Sequence, residues 1–454
     1  MLEATPREIK ERKALRVNPC KTCEPVGAMY AALGVHRCMP HSHGSQGCCS
    51  YHRTFLARHF KEPAIATTSS FTEGASVFGG GSNLKTAVKN IFAIYNPDII
   101  AVHTTCLSET IGDDLNSYIQ QLEIPEGKFV IHANTPSYAG SHVVGFSNMM
   151  SGFIHYLAEK QPVSNGKIGI FPGFVNPGDM RELKRLADLM QARYIMFPDT
   201  SGVMDAPNLG HYEMYPKGGT TIAEIRELGA VDKVLALGEI TSVPPAMKLQ
   251  AACGVSFEAL PLPMGIEATD RYIMALSHLL HTEVPASLDE ERGQLVDVML
   301  DAHPNFDKKT VAIYGDPDTV LGITAFVLEM GMVPKYVLTG TKSNDFRHKA
   351  EQLFAHFGTA GCKAIDNGDL FELHQRIKND AVDLMIGTTH GKYIARAEDI
   401  PLVRAGFPIL DRYVHSYMPL VGYRGGMRML ELICNALMDR RDRDAADEDF
   451  ELVM

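Results

Sequence analysis

The sequence has no tryptophan, no excess of base, and no apolar run near the roughly 18 residues that a membrane-spanning helix needs. Lysine and arginine number 43 against 54 aspartates and glutamates, a formal net charge of −11. A nucleic-acid surface needs clustered basic side chains, so no nucleic acid and no membrane is expected as a partner. The acidic balance reads as solubility. The opening stretch MLEATPREIKERKALRVNP lacks the apolar segment of a secretory signal, and a cytoplasmic location is expected. No G-x-x-x-x-G-K-[ST] phosphate loop is present, so ATP chemistry is not expected of this chain. The nine cysteines are odd in number, which in a cytosolic protein speaks against a disulfide framework. Cys20-x-x-Cys23 has no second C-x-x-C or histidine pair to complete a zinc ribbon, and no strand precedes it as in a thioredoxin-like site.

What is present is unevenly placed. Methionine (22) and glycine (39) are plentiful, the one able to fill irregular gaps, the other able to let backbone approach a ligand closely. Cys20, Cys23, Cys38, Cys48, Cys49 and Cys106 all fall in the first 106 residues. Residues 1–19 read as a charged, helix-prone arm. Beyond them, a grammar of apolar strand, loop and amphipathic helix recurs. DIIAVHTTC and KFVIHANT follow the helix NLKTAVKNIFAIY; KIGIFPGF and ARYIMFPDTSG flank another helix; KTVAIYGDPD, PKYVLTGT and AVDLMIGTTHG complete the series. Apolar strands alternating with helices predict parallel sheets covered on both faces. The fold class is therefore α/β, with three Rossmann-like, doubly wound domains over 1–165, 166–307 and 308–454, the last carrying a C-terminal helical segment. A chain of 454 residues suits about three domains.

In such sheets ligands sit beyond the carboxyl ends of the strands. Cys106 and Ser137 directly follow predicted strands. Gly44-Ser45-Gln46-Gly47-Cys48 places a thiol between glycines, where backbone N–H groups can approach an anionic sulfur cluster without a Cβ in the way. Thiolates suit iron–sulfur clusters because both are soft. A buried structural cysteine is the competing reading for each, and on residue type alone Cys20 and Cys23 are equal candidates. For Ser137 the competing reading is a helix cap after a strand. Phe78, before three glycines, reads as an exposed anchor on a turn, against a core phenylalanine. Asp297 and Asp301 are spaced i,i+4 and share a helix face.

Several longer motifs carry a resemblance. Cys23-Glu24-Pro25-x-Gly27-Ala28, His43-Gly44-Ser45-Gln46-Gly47-Cys48, Arg58–Pro63, Thr104-Thr105-Cys106 with Ile111–Asp114, and Thr135-Pro136-Ser137-x-x-Gly140-Ser141-His142 occur in this order. Together with FPDTSG, GDPD and GFPILDR they closely resemble β subunits of the nitrogenase molybdenum–iron protein, over essentially the whole chain. The resemblance implies an oxidoreductase subunit for nitrogen fixation. Its eight-iron, seven-sulfur P-cluster would be shared with a homologous α subunit in an α2β2 heterotetramer. By motif, Cys23, Cys48 and Cys106 match the β-side thiolate ligands, and Ser137 matches the serine whose oxygen joins the oxidised cluster. Cys20 and Cys49 have no counterpart as ligands, and Glu24 stands where many relatives carry glutamine. Phe78 matches an aromatic where an ATP-hydrolysing iron protein docks. Glu62, Asp297 and Asp301 match a site for a mononuclear iron or calcium between two β subunits. The iron–molybdenum cofactor that reduces dinitrogen to ammonia would lie in α, so no residue here is catalytic in the sense of touching substrate. The same resemblance leaves as alternatives a cofactor-assembly scaffold and a vanadium or iron-only nitrogenase β subunit; the complete cysteine set argues against the first and Ser45 against the second.

Overall fold

The computed structural model describes residues 4–10, 12, 16–447, 449 and 450. Each of the seven apolar runs named above holds a strand; among the described residues six further strands join them, and all lie in three wholly parallel sheets. The first has β1 (Cys38–His43), β2 (Thr67–Thr68), β3 (Ile99–Thr104) and β4 (Phe129–Ala133), in the order β2-β1-β3-β4. The second has β5 (Ile168–Phe171), β6 (Tyr194–Met196), β7 (Lys233–Leu237) and β8 (Phe257–Leu260), ordered β6-β5-β7-β8. The third has β9 (Thr310–Gly315), β10 (Val333–Thr339), β11 (Lys363–Ile365), β12 (Leu384–Gly387) and β13 (Leu402–Arg404), ordered β11-β10-β9-β12-β13. This is the α/β architecture expected. The chain divides into two compact units, Thr22–Leu260 with the first two sheets, and Met1–Lys21 with Pro261–Met454 around the third. No described helix is long and apolar enough to cross a membrane.

Within Thr22–Leu260, the helix Gly81–Tyr95 illustrates how pattern becomes packing. Leu84, Val88 and Ile91, at i, i+4 and i+7, are its buried residues. They join Met39, Ile100, Val102, Leu115 and Val130 in one apolar cluster beneath the first sheet. Each such side chain contributes about 1.5–3 kcal/mol by leaving water. Helices Glu24–Leu33 and His142–Leu157 meet even more closely. A Cβ on Gly27 would lie 1.7 Å from the His142 carbonyl oxygen, and one on Gly145 would lie 1.9 Å from that of Glu24. These helices touch backbone to backbone, which only glycine allows.

In the other unit, the helix Pro317–Glu329 is buried almost all round, as its largely apolar sequence requires. The charged arm differs from its sequence reading. Its described residues form no helix. Arg12 instead makes a two-pronged contact with the carboxylate of Asp369 at 2.8 and 2.7 Å, the Val17 N–H donates to the same carboxylate, and Pro19 bridges Asp369. Backbone groups committed to these distant partners are withdrawn from the i,i+4 ladder of a helix.

Candidate metal-cluster site

The three cysteines singled out by motif each begin a helix. Cys23 is the N-cap of Glu24–Leu33. Cys48 lies in the first turn of Gln46–Phe60, whose N-cap Ser45 accepts the Gly47 N–H at 3.3 Å. Cys106 is the first residue of Cys106–Ile111, directly after β3. Helix N-termini carry unsatisfied N–H groups and partial positive charge, so all three sulfurs stand where an anion is favoured. Ser137 lies in the turn after β4. It caps no helix; Ser141 holds that position before His142–Leu157.

Hydrogen bonds at the carboxyl edge of the first sheet draw these segments together. The Thr105 N–H donates to the His43 carbonyl at 3.1 Å, and the Ser108 hydroxyl donates to the same carbonyl at 2.8 Å. Gly44, at φ +151°, turns the chain so tightly against Thr105 that a Cβ there would lie 1.8 Å from Thr105 Oγ1. The loop to Cys48 and the loop to Cys106 are thereby joined. On the other side, the Thr135 N–H and hydroxyl engage Thr104 Oγ1 and O at 2.7 and 2.6 Å, tying the Ser137 turn to the end of β3. The Thr22 N–H donates to His142 Nδ1 at 3.3 Å, and the His142 N–H to the Thr22 carbonyl at 3.1 Å, which fixes the approach to Cys23.

Burial pushes the Cys23 thiol up, while a hydrogen bond from Ser137 opposes it and the charge of Cys106 reinforces it. Burial likewise raises Cys48, and the charges of Cys106, Cys23 and Cys49 raise it further. Three sulfurs that repel one another as thiolates need positive charge between them. Among the described residues, no three histidine, cysteine or acidic side chains close around a single metal ion. Cys106 is exposed, whereas Cys23 and Cys48 are partly buried. Soft donors at helix N-termini fit an iron–sulfur cluster in the chemistry of the donor set.

The other cysteines face away. Cys49 is buried, and its thiol donates to the Thr67 carbonyl at 3.5 Å. Cys20 lies in the apolar cluster of the third sheet with Ala312, Tyr314, Leu338 and Leu370. Burial pushes its thiol well up. Three positions in sequence separate two thiols of opposite fate.

Behind the cysteines lies a layer that residue type alone did not reveal. His43 Nε2 is 3.0 Å from Asp113 Oδ2, and its Nδ1 is 2.9 Å from Ser69 Oγ. Ser69 Oγ is also 2.9 Å from His41 Nε2, and His41 Nδ1 is 2.9 Å from Thr67 Oγ1. Burial holds His41 down at about 3 and lowers His43 despite Asp113, so both imidazoles are neutral near pH 7. A neutral His43 with its proton on Nε2 donates to Asp113 and accepts from Ser69, and the same direction runs back through His41 to Thr67. Ser42 Oγ pairs with His103 Nε2 at 2.7 Å. Glu24 is buried beside Cys23 and accepts from Asn148 Nδ2 at 3.4 Å.

Phe78 is 90% exposed at the end of helix Glu73–Phe78. Glu62 lines a cleft of about 390 Å³ in the Thr22–Leu260 unit. Asp297 and Asp301 are exposed on helix Ala286–Phe306 in the other unit. These three carboxylates are not brought together within either unit.

A family model for nitrogenase component 1 type oxidoreductases matches residues 23–438, and the chain belongs to that family. Its full length aligns with nitrogenase molybdenum-iron protein beta chains. That of Clostridium pasteurianum is 60% identical over 457 residues and covers all of both chains. That of Azotobacter vinelandii is 37% identical over 467 residues, covering 98% of this chain and 89% of its own. A solved structure of nitrogenase Cp1 at pH 6.5 matches with a TM-score of 0.98 at 59% identity over the whole of both chains. A chain of nitrogenase Cp1 at pH 5 matches at 0.71 with 14% identity over 98% of this chain and 92% of its own, a likeness of fold alone. The family implied by the motifs is the family found, and the chain is a subunit of an oxidoreductase.

Proposed function

We propose that this chain is the electron-relaying β subunit of a molybdenum nitrogenase component 1, binding half of a P-cluster through Cys23, Cys48, Cys106 and Ser137. The observation that carries the reading is the set of three thiols on three helix N-termini at one sheet edge, with the Ser137 hydroxyl on the Cys23 sulfur. The cluster, when bound, supplies one-electron steps at low potential. Cys23, Cys48 and Cys106 would hold it and set its charge; Gly44 lets the Cys48 loop close on Thr105, and a Cβ at Gly47 would meet only Ser45 Oγ at 3.7 Å. Ser137 holds a proton at Oγ and would offer the cluster a hard oxygen donor, a ligand type that would link electron loss to proton loss. The α subunit completes the site, and two αβ pairs form the α2β2 complex. An ATP-hydrolysing iron protein docks near Phe78, and electrons pass on to the iron–molybdenum cofactor in α, where dinitrogen becomes ammonia. Glu62 and, from a second β chain, Asp297 and Asp301 hold a mononuclear iron or calcium between β subunits, since hard carboxylates suit such cations. The reading is completed by three domains over 1–165, 166–307 and 308–454, with the arm before Thr22 reaching the third of them, in a cytoplasmic protein.

The test is Cys106→Ala in the chain co-purified with its α partner. Loss of cluster iron and of the cluster's spectroscopic signature is expected. Unchanged iron and spectra would overturn the ligand assignment, and vanadium or no heterometal in the native complex would overturn the molybdenum assignment.

A further inference from the structure

Asp113 joins three segments that the sequence keeps far apart. Its carboxyl oxygens accept the Gly80 N–H at 3.1 and 3.2 Å, two residues after the exposed Phe78. The same group takes the Tyr118 hydroxyl at 3.1 Å and His43 Nε2 at 3.0 Å. Its own backbone N–H donates to the Ser108 carbonyl, just past the end of the Cys106–Ile111 helix. Its side chain is 2% exposed. A buried carboxyl group costs free energy unless its oxygens are bonded, and here three elements supply the donors. An apolar residue would fill the space without that requirement, so the arrangement fixes positions rather than adding stability.

The glycine after Phe78-Gly79 has a steric reason in the same contact. A Cβ on Gly80 would lie 2.1 Å from the Phe71 ring and 2.9 Å from Asp113 Oδ2. The Phe78 turn can therefore sit on the carboxylate only with glycine there. The Phe71 ring in turn meets the His43 ring edge-on at 4.9 Å. From His43 the connection divides. Its carbonyl holds the Thr105 N–H and Ser108 hydroxyl next to Cys106, and its chain continues through Gly44 to Cys48. One carboxyl group thus lies a single hydrogen bond from the Phe78 turn and two from the backbone beside Cys106.

We propose that Asp113 is a positioning residue that couples the Phe78 turn to the Cys48 and Cys106 loops, so that a redox partner seated on Phe78 acts on the cluster ligands through Gly80, Asp113 and His43. This rests on the reading of Phe78 as the docking point and of the cysteines as cluster ligands. Asp113 touches neither the cluster nor the partner.

The test uses the full chain in its complex with the α subunit and compares Phe78→Ala, Asp113→Asn and the double variant. Asparagine keeps the shape but removes the charge, and its amide nitrogen donates where a carboxyl oxygen accepted, which leaves one oxygen to accept from the Gly80 N–H, the Tyr118 hydroxyl and His43. Two quantities are read: iron content with the cluster spectrum under dithionite, and the rate of electron delivery from the iron protein with ATP. Asp113→Asn is expected to keep its iron, shift the cluster spectrum and slow partner-driven delivery about tenfold. The double variant is expected within about twofold of the slower single variant, because groups acting through one connection are not additive. Multiplying effects, or full-speed delivery to Asp113→Asn, overturn the coupling alone. Normal delivery to Phe78→Ala overturns the docking reading and the coupling with it. If Asp113→Asn loses iron, Tyr118→Phe, which removes one donor and no charge, takes its place in the same cycle and decides by the same criterion.

Discussion

The sheet of β1–β4 and the sheet of β9–β13 are built on the same parallel grammar but bury different chemistry. β9 and β12, TVAIYG and LMIG, fill their interiors with apolar side chains, and the Tyr314 hydroxyl ends on the Thr388 carbonyl at 2.7 Å. β1 and β3, CMPHSH and IIAVHT, begin apolar and end in buried His41, Ser42, His43 and His103. Apolar halves suffice to make a strand. The polar halves cost desolvation and must be matched donor to acceptor, so they mark where the fold is serving a site. Cys20 and Cys23 state the same contrast in two residues, one in each unit.

The comparison breaks hardest at Cys23. In the α-containing complex, Cys23→Ala is expected to lose cluster iron outright, because its sulfur takes the Ser137 hydroxyl and feels the charge of Cys106. Iron analysis against the parent complex checks it; retention of full iron would make Cys23 a structural thiol like Cys20.

Acid should separate the two sheets next. Burial depresses His41 to about 3 and His52 to about 4, and His103 well below its ordinary value. Unfolded, each titrates near 6.5, so below that pH the unfolded chain binds protons that the folded chain does not. Stability is complete above about pH 6.5 and is lost as pH falls toward the folded values. The slope is about 1.4 kcal/mol per pH unit per histidine, or about 4 kcal/mol per unit for the three. Amide protection, corrected for intrinsic exchange, should fall faster in β1 and β3 than in β9 and β12 between pH 6 and 5. A parallel fall in both sheets would remove the histidines as the cause.

Much of this contrast is legible in the residues and some is not. The strands are visible because a sheet covered on both faces demands unbroken apolar runs, and DIIAVHTTC or KTVAIYG supply them. Cys106 and Ser137 are visible because they follow strand ends, and Cys48 because glycines flank it. What fails to show is contact across distance. Asp113 meets His43 across 70 residues, and Arg12 meets Asp369 across 357. Local propensity made a helix of residues 1–19, whereas Arg12 and Val17 among the described ones are held by Asp369. Residue type leaves Cys20 and Cys23 equal; the motif resemblance separates them, and the structure adds the physical reason for Cys20, whose side chain enters the apolar cluster of the third sheet.

A smaller effect is expected from Gly44→Ala. The added methyl would meet Thr105 Oγ1 at 1.8 Å, at a φ of +151° that side-chain-bearing residues avoid. About 3 kcal/mol of destabilisation is expected, read as a lower urea midpoint. Iron content should fall as well, since the clash parts the Cys48 and Cys106 loops. A variant with the parent midpoint would show that this close approach is not needed.

The smallest effect belongs to Cys20→Ala. Its side chain packs among Ala312, Tyr314, Leu338 and Leu370, and Gly340 lies so close that its Cβ would come 2.6 Å from the Cys20 carbonyl carbon. Truncation removes one sulfur from an apolar cluster and leaves every donor at the first sheet in place, so about 1 kcal/mol of stability is at stake. The complex should keep all its iron, and loss of protection should be confined to β9, β10 and β12. Iron loss in Cys20→Ala with stability unchanged would reverse the assignment of the two thiols, because only a ligand loses metal without disturbing its core.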